Sequence, residues 1–299
     1  DAHRASSANP SKCVLADLVR DIHQEPLDFF RTHYYLSSLL LGANYQSSAG
    51  PLPPCGPHLP EAISEGNWYN NTWISLRCRS LKFSTHMLHN CLKNKVIFII
   101  GDSTARQYRD YFENTLKGNL VILNDRVRNR ENIFNSTGLY FRLHAYPSAH
   151  DNKHARSLKY TADIIDSVVG GPKVLVILSI WAHYTALPLE TFSSRVYGIR
   201  HAIERLQSRN PDTKVFWRTS NMRGHANLGH FVQNSNWYAY QFVLEAKRIL
   251  SDLDIFLMDV WEMSVCTKYI IHPEPHVIKN HIDLVLSYTC PQQRQENIF

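Results

Sequence analysis

The sequence predicts an α/β fold, a mostly parallel sheet with helices on both faces. Two observations carry this. Short unbroken apolar runs, VIFII at Val96–Ile100 and KVLVILSI at Lys173–Ile180, have the length of strands covered on both sides. Segments with apolar residues at helical spacing alternate with such runs, as helices crossing a parallel sheet do.

The elements follow in order. Residues 1–53 read as an irregular N-terminal segment and linker, and 54–299 as one domain. Leu15–Phe30 holds a short helix before Pro26, and Ser47–Pro60 is rich in Pro, Gly and Ser, as linkers are. Trp68 and Trp73 are core anchors within Gly66–Cys78. After the Val96–Ile100 strand, Tyr108, Tyr111, Phe112 and Leu116 recur at helical spacing, and Gly118 ends that helix. Asn119–Asp125 is a second strand. Leu139–Tyr146 alternates and reads as an edge strand, whereas Lys173–Ile180 reads as central. A helix over Ser193–Pro211 stops at Asn210-Pro211. Lys214–Ser220 is a strand, Trp237–Leu253 a helix, Ile255–Trp261 a strand and Val277–Cys290 a closing helix. No internal repeat is present.

Composition narrows the class. At 299 residues, 44% apolar and 19% charged, the chain is globular, and no apolar run approaches the about 20 residues of a membrane span. It begins at Asp1 without a Met, which predicts a mature or truncated fragment. Six cysteines include no CxxC pair, which argues against a zinc ribbon and for disulfides. Sequons at Asn70 and Asn135 join them in pointing to a secretory compartment. A net charge of +6 suits an anionic partner, such as an acidic sugar or a phosphate-bearing donor. No dense Lys/Arg block marks a nucleic-acid partner.

In open α/β sheets, ligands gather at the carboxyl ends of the strands. Those ends carry Gly101-Asp102-Ser103, Ser179–Tyr184, Thr219-Ser220-Asn221 and the segment after Trp261. Ser103 opens a helix, so its own backbone N–H can donate to a developing oxyanion. A serine is a poor nucleophile without a base. His272, between the last strand and the last helix, is the candidate base. Asp-Ser after a strand is also a common helix N-cap, so the pattern alone leaves both roles open for Ser103. His272, His276 and His281 do not make a metal site, because Pro273 and Pro275 break any helix that would align the first two.

Several segments taken together carry more. GNWYNNTWISLRC, CLKNKVIFIIGDSTARQ, GIRHAIERLQSRNPDTKV, SNMRGH, LMDVWEM and HPEPHVIKNHIDLVLSYTC resemble, in this order, the PC-esterase domain of the neurexophilin and PC-esterase (NXPE) family. This is a branch of the GDSL/SGNH-like acyl-ester enzymes, and the resemblance runs from about Pro54 to Cys290. It implies a flavodoxin-like SGNH three-layer fold, with Ser103 as nucleophile and His272 as general base. Asp102, Arg106, Gln107, His183, Asn221 and Asp259 are the supporting residues, with Arg106 and Gln107 anchoring the post-serine loop. Cys55, Cys78, Cys91 and Cys290 match family positions, while Cys266 and Cys13 are extra. Cys290 pairs either with Cys266 or upstream.

The implied activity is a serine-dependent O-acetyltransferase or O-acetylesterase of the secretory pathway, in the Golgi lumen or outside the cell. It acts on glycans or glycoproteins, with sialic acid-type glycans the leading substrate class. No tightly bound cofactor or metal is implied, and acetyl-CoA is a candidate acyl donor. Two positions depart from the family pattern. Tyr269 stands where Asp-x-x-His supplies a carboxylate to the histidine, and Trp181 stands where Gly-x-His has its glycine. Losing such a carboxylate can lower the rate by about 10⁴-fold. Asp259 is the candidate substitute. The alternative is a degenerate domain kept for binding a glycan or a protein.

Overall fold

In the computed structural model, described over residues 51–125, 133–144, 159–224, 228, 235–265, 267 and 272–291, a six-stranded sheet carries two hydrophobic cores, one on each face. Its strands are β3 (Val96–Gly101), β4 (Leu120–Leu123), β5 (Thr137–Leu143), β6 (Val174–Ser179), β7 (Lys214–Arg218) and β8 (Phe256–Met258). They run in the order β4-β5-β3-β6-β7-β8, and every pairing is parallel. Apart from the edge strand β4, this is the flavodoxin-like order. The chain leaves β3 toward β5 on one side and returns to β6 on the other, so the carboxyl end of β3 is the switch point of the sheet.

The apolar runs are unbroken because alternate side chains feed different cores. Phe98 and Ile100 of β3 enter one core, and Ile97 and Ile99 the other. The first core lies under α3 (Thr161–Asp166), α4 (Leu189–Arg209) and α5 (Asn236–Leu250). The second lies under α1 (Thr85–Leu92), α2 (Ser103–Thr115) and α7 (Pro275–Thr289). Pro275 starts α7 at a position where its missing N–H has no helical partner to lose. The layers are therefore helix, sheet, helix.

Three expectations are corrected. The strand expected at an edge, β5, lies inside the sheet between β3 and β4. Its alternation is confined to the exposed end: Thr137–Tyr140 pair with the short β4 and are buried, and the polar positions fall beyond. The expected strand Ile255–Trp261 ends at Met258. Asp259 accepts from the Trp261 amide at 3.0 Å and turns the chain into a short helix, α6 (Trp261–Val265). The linker-like stretch is fastened from Pro53 onward: the Arg79 amide donates to the Pro53 carbonyl, and Cys55 is bonded to Cys78. The expected helix within Leu15–Phe30 lies outside the described residues, as do Cys13 and Cys266.

A two-stranded hairpin, β1 (Gly66–Tyr69) and β2 (Thr72–Ser75), covers one side of the second core. Trp68 and Trp73 face each other across it edge-to-face, and the Trp73 amide donates to Asn280 of α7. Asn70 at its turn and Asn135 before β5 are both exposed. Cys91 at the end of α1 is bonded to Cys290 at the end of α7, which settles the pairing of Cys290 as upstream. No helix among the described residues is long and apolar enough to cross a membrane.

The two disulfides close loops of very different length, with sequence separations of 23 and 199. Chain-entropy reasoning gives about 3 kcal/mol for the first and about 5 kcal/mol for the second. Denaturant unfolding of the paired Cys→Ala variants is expected to show the larger loss for Cys91–Cys290. An equal or smaller loss there would show that the long closure is not what holds α1 against α7.

Candidate active site

The site forms where β3 ends. Gly101 is required there, because a Cβ would lie 2.0 Å from the Ser179 carbonyl oxygen and 2.7 Å from the Ala105 Cβ. Asp102 follows in extended conformation and caps α2, its Oδ1 accepting from the Thr104 amide at 2.9 Å. The cap is therefore Asp102, which leaves the Ser103 hydroxyl free. Ser103 is half-buried at the first position of α2, where its N–H has no acceptor within the helix.

Asp102 is fully buried, and its carboxylate is saturated. Besides the Thr104 amide, Oδ1 accepts from the Thr104 hydroxyl at 2.6 Å. Its Oδ2 accepts from the Trp181 and Ala182 amides at 3.1 and 2.9 Å. Burial alone would raise its pKa. The hydrogen bonds from Thr104, Ala182 and Trp181 outweigh burial and hold it below the ordinary carboxylate value. These bonds tie the end of β3 to the end of β6. They also engage the Trp181 and Ala182 amides, so neither is free to donate to an oxyanion.

Opposite Ser103, His272 places Nε2 2.9 Å from the Ser103 Oγ. The loop that brings it there is fastened to α2, where Gln107 donates from Nε2 to the Pro273 carbonyl at 2.8 Å. Gln107 is one helical turn beyond Ser103, so one helix face presents the serine and anchors its partner. The imidazole pKa is lowered, first by burial and then by the Arg106 charge, against an opposing pull from Asp102. Among the described residues no carboxylate hydrogen-bonds the other ring nitrogen, and Tyr269 lies outside them.

A group the sequence reading missed lies beneath. Arg218, at the end of β7, is 1% exposed. It donates to the Thr104 hydroxyl at 2.9 Å, the Ser179 hydroxyl at 3.3 Å and the Asn221 Oδ1 at 2.5 Å. The signal was an arginine closing the apolar run VFW at Val215–Trp217. A charge so placed needs partners, and in a parallel sheet the neighbouring strand ends supply them.

The remaining candidates divide. Arg106 stands one turn from Ser103 and is exposed. His183 is half-buried and stacks on His144 at 5.9 Å. The His144 pKa is pushed down to about 4, by burial and by His183. Asn221 is fully buried and braces the floor of the site: it accepts from Arg218 and donates to the Met222 carbonyl. Asp259 is corrected. Its carboxylate is held by Lys247 at 2.5 Å, Thr219 at 3.2 Å and the Trp261 amide, in a cluster with Glu65, and it does not substitute for the carboxylate expected beside His272. Trp181 is 2% exposed, with its ring in the core opposite the one under α2, so it does not fill the space at Ser103.

Fold and site together define an SGNH-like α/β domain, with Gly-Asp-Ser at the switch point and a histidine returned to the serine by a late loop. The chain belongs to the NXPE family: the NXPE family member 4-like, C-terminal domain matches residues 73–290. The chain is also similar to solved structures at low identity. A candidate acylhydrolase from Bacteroides fragilis is 14% identical, with 66% of this chain and 88% of that one covered at a TM-score of 0.41. The periplasmic domain of a lipopolysaccharide acetyltransferase from Salmonella ser. Paratyphi A is 16% identical, with 69% and 87% covered at 0.35. A family two carbohydrate esterase from Clostridium thermocellum is 12% identical, with 67% and 63% covered at 0.30.

The lowered pKa of His272 sets a pH expectation. A general base works as the neutral imidazole, and depressing its pKa keeps that form at lower pH. The acidic limb of kcat/KM is expected below 6.5, the ordinary histidine value. Arg106→Gln removes a positive neighbour and should move that limb upward. A wild-type limb above 6.5, or no upward movement in the variant, would contradict this electrostatic reading.

Proposed function

We propose that the protein is a serine-dependent acyltransferase or esterase acting on carbohydrate O-acetyl groups, with Ser103 as nucleophile and His272 as general base. The observation that carries this is the 2.9 Å approach of His272 Nε2 to Ser103 Oγ. Ser103 Oγ attacks the acyl carbonyl carbon as its proton passes to Nε2. The tetrahedral intermediate puts its negative oxygen beside the Ser103 N–H. The intermediate then collapses, and the leaving group departs with the proton from Nε2. In the second step a sugar hydroxyl or water gives its proton to Nε2 and attacks the acyl-serine, and the serine recovers its proton as the product leaves.

Sialic acid-type glycans are the leading acceptor class, and acetyl-CoA is the candidate donor in the transfer direction. Two disulfides and exposed sequons at Asn70 and Asn135 support a secretory-pathway setting, in the Golgi lumen or outside the cell.

A second reading is favoured by one specific feature. His272 has no carboxylate partner among the described residues, and Tyr269 stands where the family pattern has Asp. On that reading the domain is degenerate and binds a glycan or a protein without turning it over. Turnover of an acetyl ester separates the two. Ser103→Ala is expected to abolish hydrolysis or transfer, and wild-type activity no higher than the variant's would sink the catalytic reading. Tyr269→Asp is expected to raise kcat by tenfold or more, part of the about 10⁴-fold such a carboxylate can contribute. No gain would mean that another group already orients the histidine or that the site is inert.

A further inference from the structure

Among the described residues, charge around the Ser103–His272 pair does not balance. Asp102 is the carboxylate that acts on His272, and its oxygens are already filled by Thr104, Trp181 and Ala182. The buried Arg218 guanidinium offsets its charge. Two further guanidinium groups remain. Arg106 lies one turn along α2 from Ser103, and its side chain makes no hydrogen bond or ion pair among the described residues. Arg223 follows the Asn221 segment. Its backbone is fixed from both sides, the amide donating to the Asn236 side chain and the carbonyl accepting from it, each at 3.0 Å. The Arg223 side chain is half-buried, and its Nε is shielded from water without a partner. After burial, the charges of both arginines help to hold the His272 pKa down.

Nothing in the adjoining sequence neutralises them. From Gly224 to Ser235, and from Met263 to Pro273, the chain has no Asp or Glu. Glu274 pairs with His276 instead. Two cations beside a histidine, one partly desolvated, are unfavourable unless an anion joins them.

We propose that Arg106 and Arg223 form an anion subsite beside Ser103, one that holds an anionic oxygen group of a substrate while its ester or hydroxyl lies at the serine. This rests on the acyl-transfer reading above and gives it a specificity determinant. The planar guanidinium suits carboxylate and phosphate oxygens, each of which it can meet with paired hydrogen bonds. The carboxylate of an acidic sugar and the phosphates of a coenzyme-type acetyl donor share that chemistry.

The test compares charged and neutral substrates. For the acceptor arm, an O-acetylated acidic sugar is compared with its carboxylate methyl ester. For the donor arm, acetyl-CoA is compared with S-acetyl-N-acetylcysteamine, which lacks phosphates. In the wild type the charged member should have the higher kcat/KM in one arm, which names the source. Arg106→Gln and Arg223→Gln should each lower that charged-to-neutral ratio by about tenfold, mainly through KM. An unchanged ratio in both arms would overturn the proposal. Equilibrium binding keeps the test separate from catalysis. With Ser103→Ala as background, Kd for the acidic sugar or for CoA should rise by about tenfold when Arg223 becomes Gln. A weaker Kd in a protein that turns over no ester would retire the catalytic reading and keep the subsite, and an unchanged Kd for both ligands would remove the subsite.

Discussion

The buried Asp102 carboxylate is the interaction on which the site depends. A desolvated charge persists only where hydrogen bonds replace water, and here four do so. Two come from Thr104 in the first turn of α2, and two are amides from the segment after β6. One side chain thus caps the helix that Ser103 opens and locks the ends of two central strands together. Gly101 lets those strands approach closely enough for it. Arg218 completes the arrangement from the next strand end, reaching the Thr104 hydroxyl that also bonds Asp102. Three separate strand ends become one rigid floor beneath the serine.

On that floor the Ser103–His272 pair has, among the described residues, no carboxylate bonded behind the histidine. His272 is held at Ser103 by a loop tied down at Pro273. Asp102 still favours the imidazolium through space, but it is outweighed by burial and Arg106. The balance favours a neutral histidine, the form a base requires. It also leaves the imidazolium that forms in the transition state less stabilised than an adjacent carboxylate would make it. Arg106 and Arg223, uncompensated among the described residues, add to that burden unless a substrate anion offsets them.

Much of this was legible in the sequence, because its signals are local. The runs at Val96 and Lys173 have the continuity that two-sided burial demands, and they form the two central strands. The fold class and the family followed from those runs and the ordered segments around them. The place of Ser103 at a strand end was legible for the same reason. What escaped depends on contacts between distant segments. Leu139–Tyr146 looked like an edge because only the neighbouring β4 makes it interior. Arg218 went unnoticed, since two of its three partners are 39 and 114 residues away. Asp259 looked available until Lys247 and Thr219 claimed it. The partner of Cys290 is 199 residues upstream, a separation no local pattern encodes.

The central claim is that the Ser103 hydroxyl, activated by His272, becomes covalently acylated. Mass spectrometry of the peptide containing Ser103, after brief exposure of the protein to an activated acetyl ester and acid quenching, reads this directly. The account predicts an added acetyl group on Ser103 in the wild type and its loss in His272→Ala. An unmodified Ser103 in the wild type, or equal acetylation in both proteins, would contradict it.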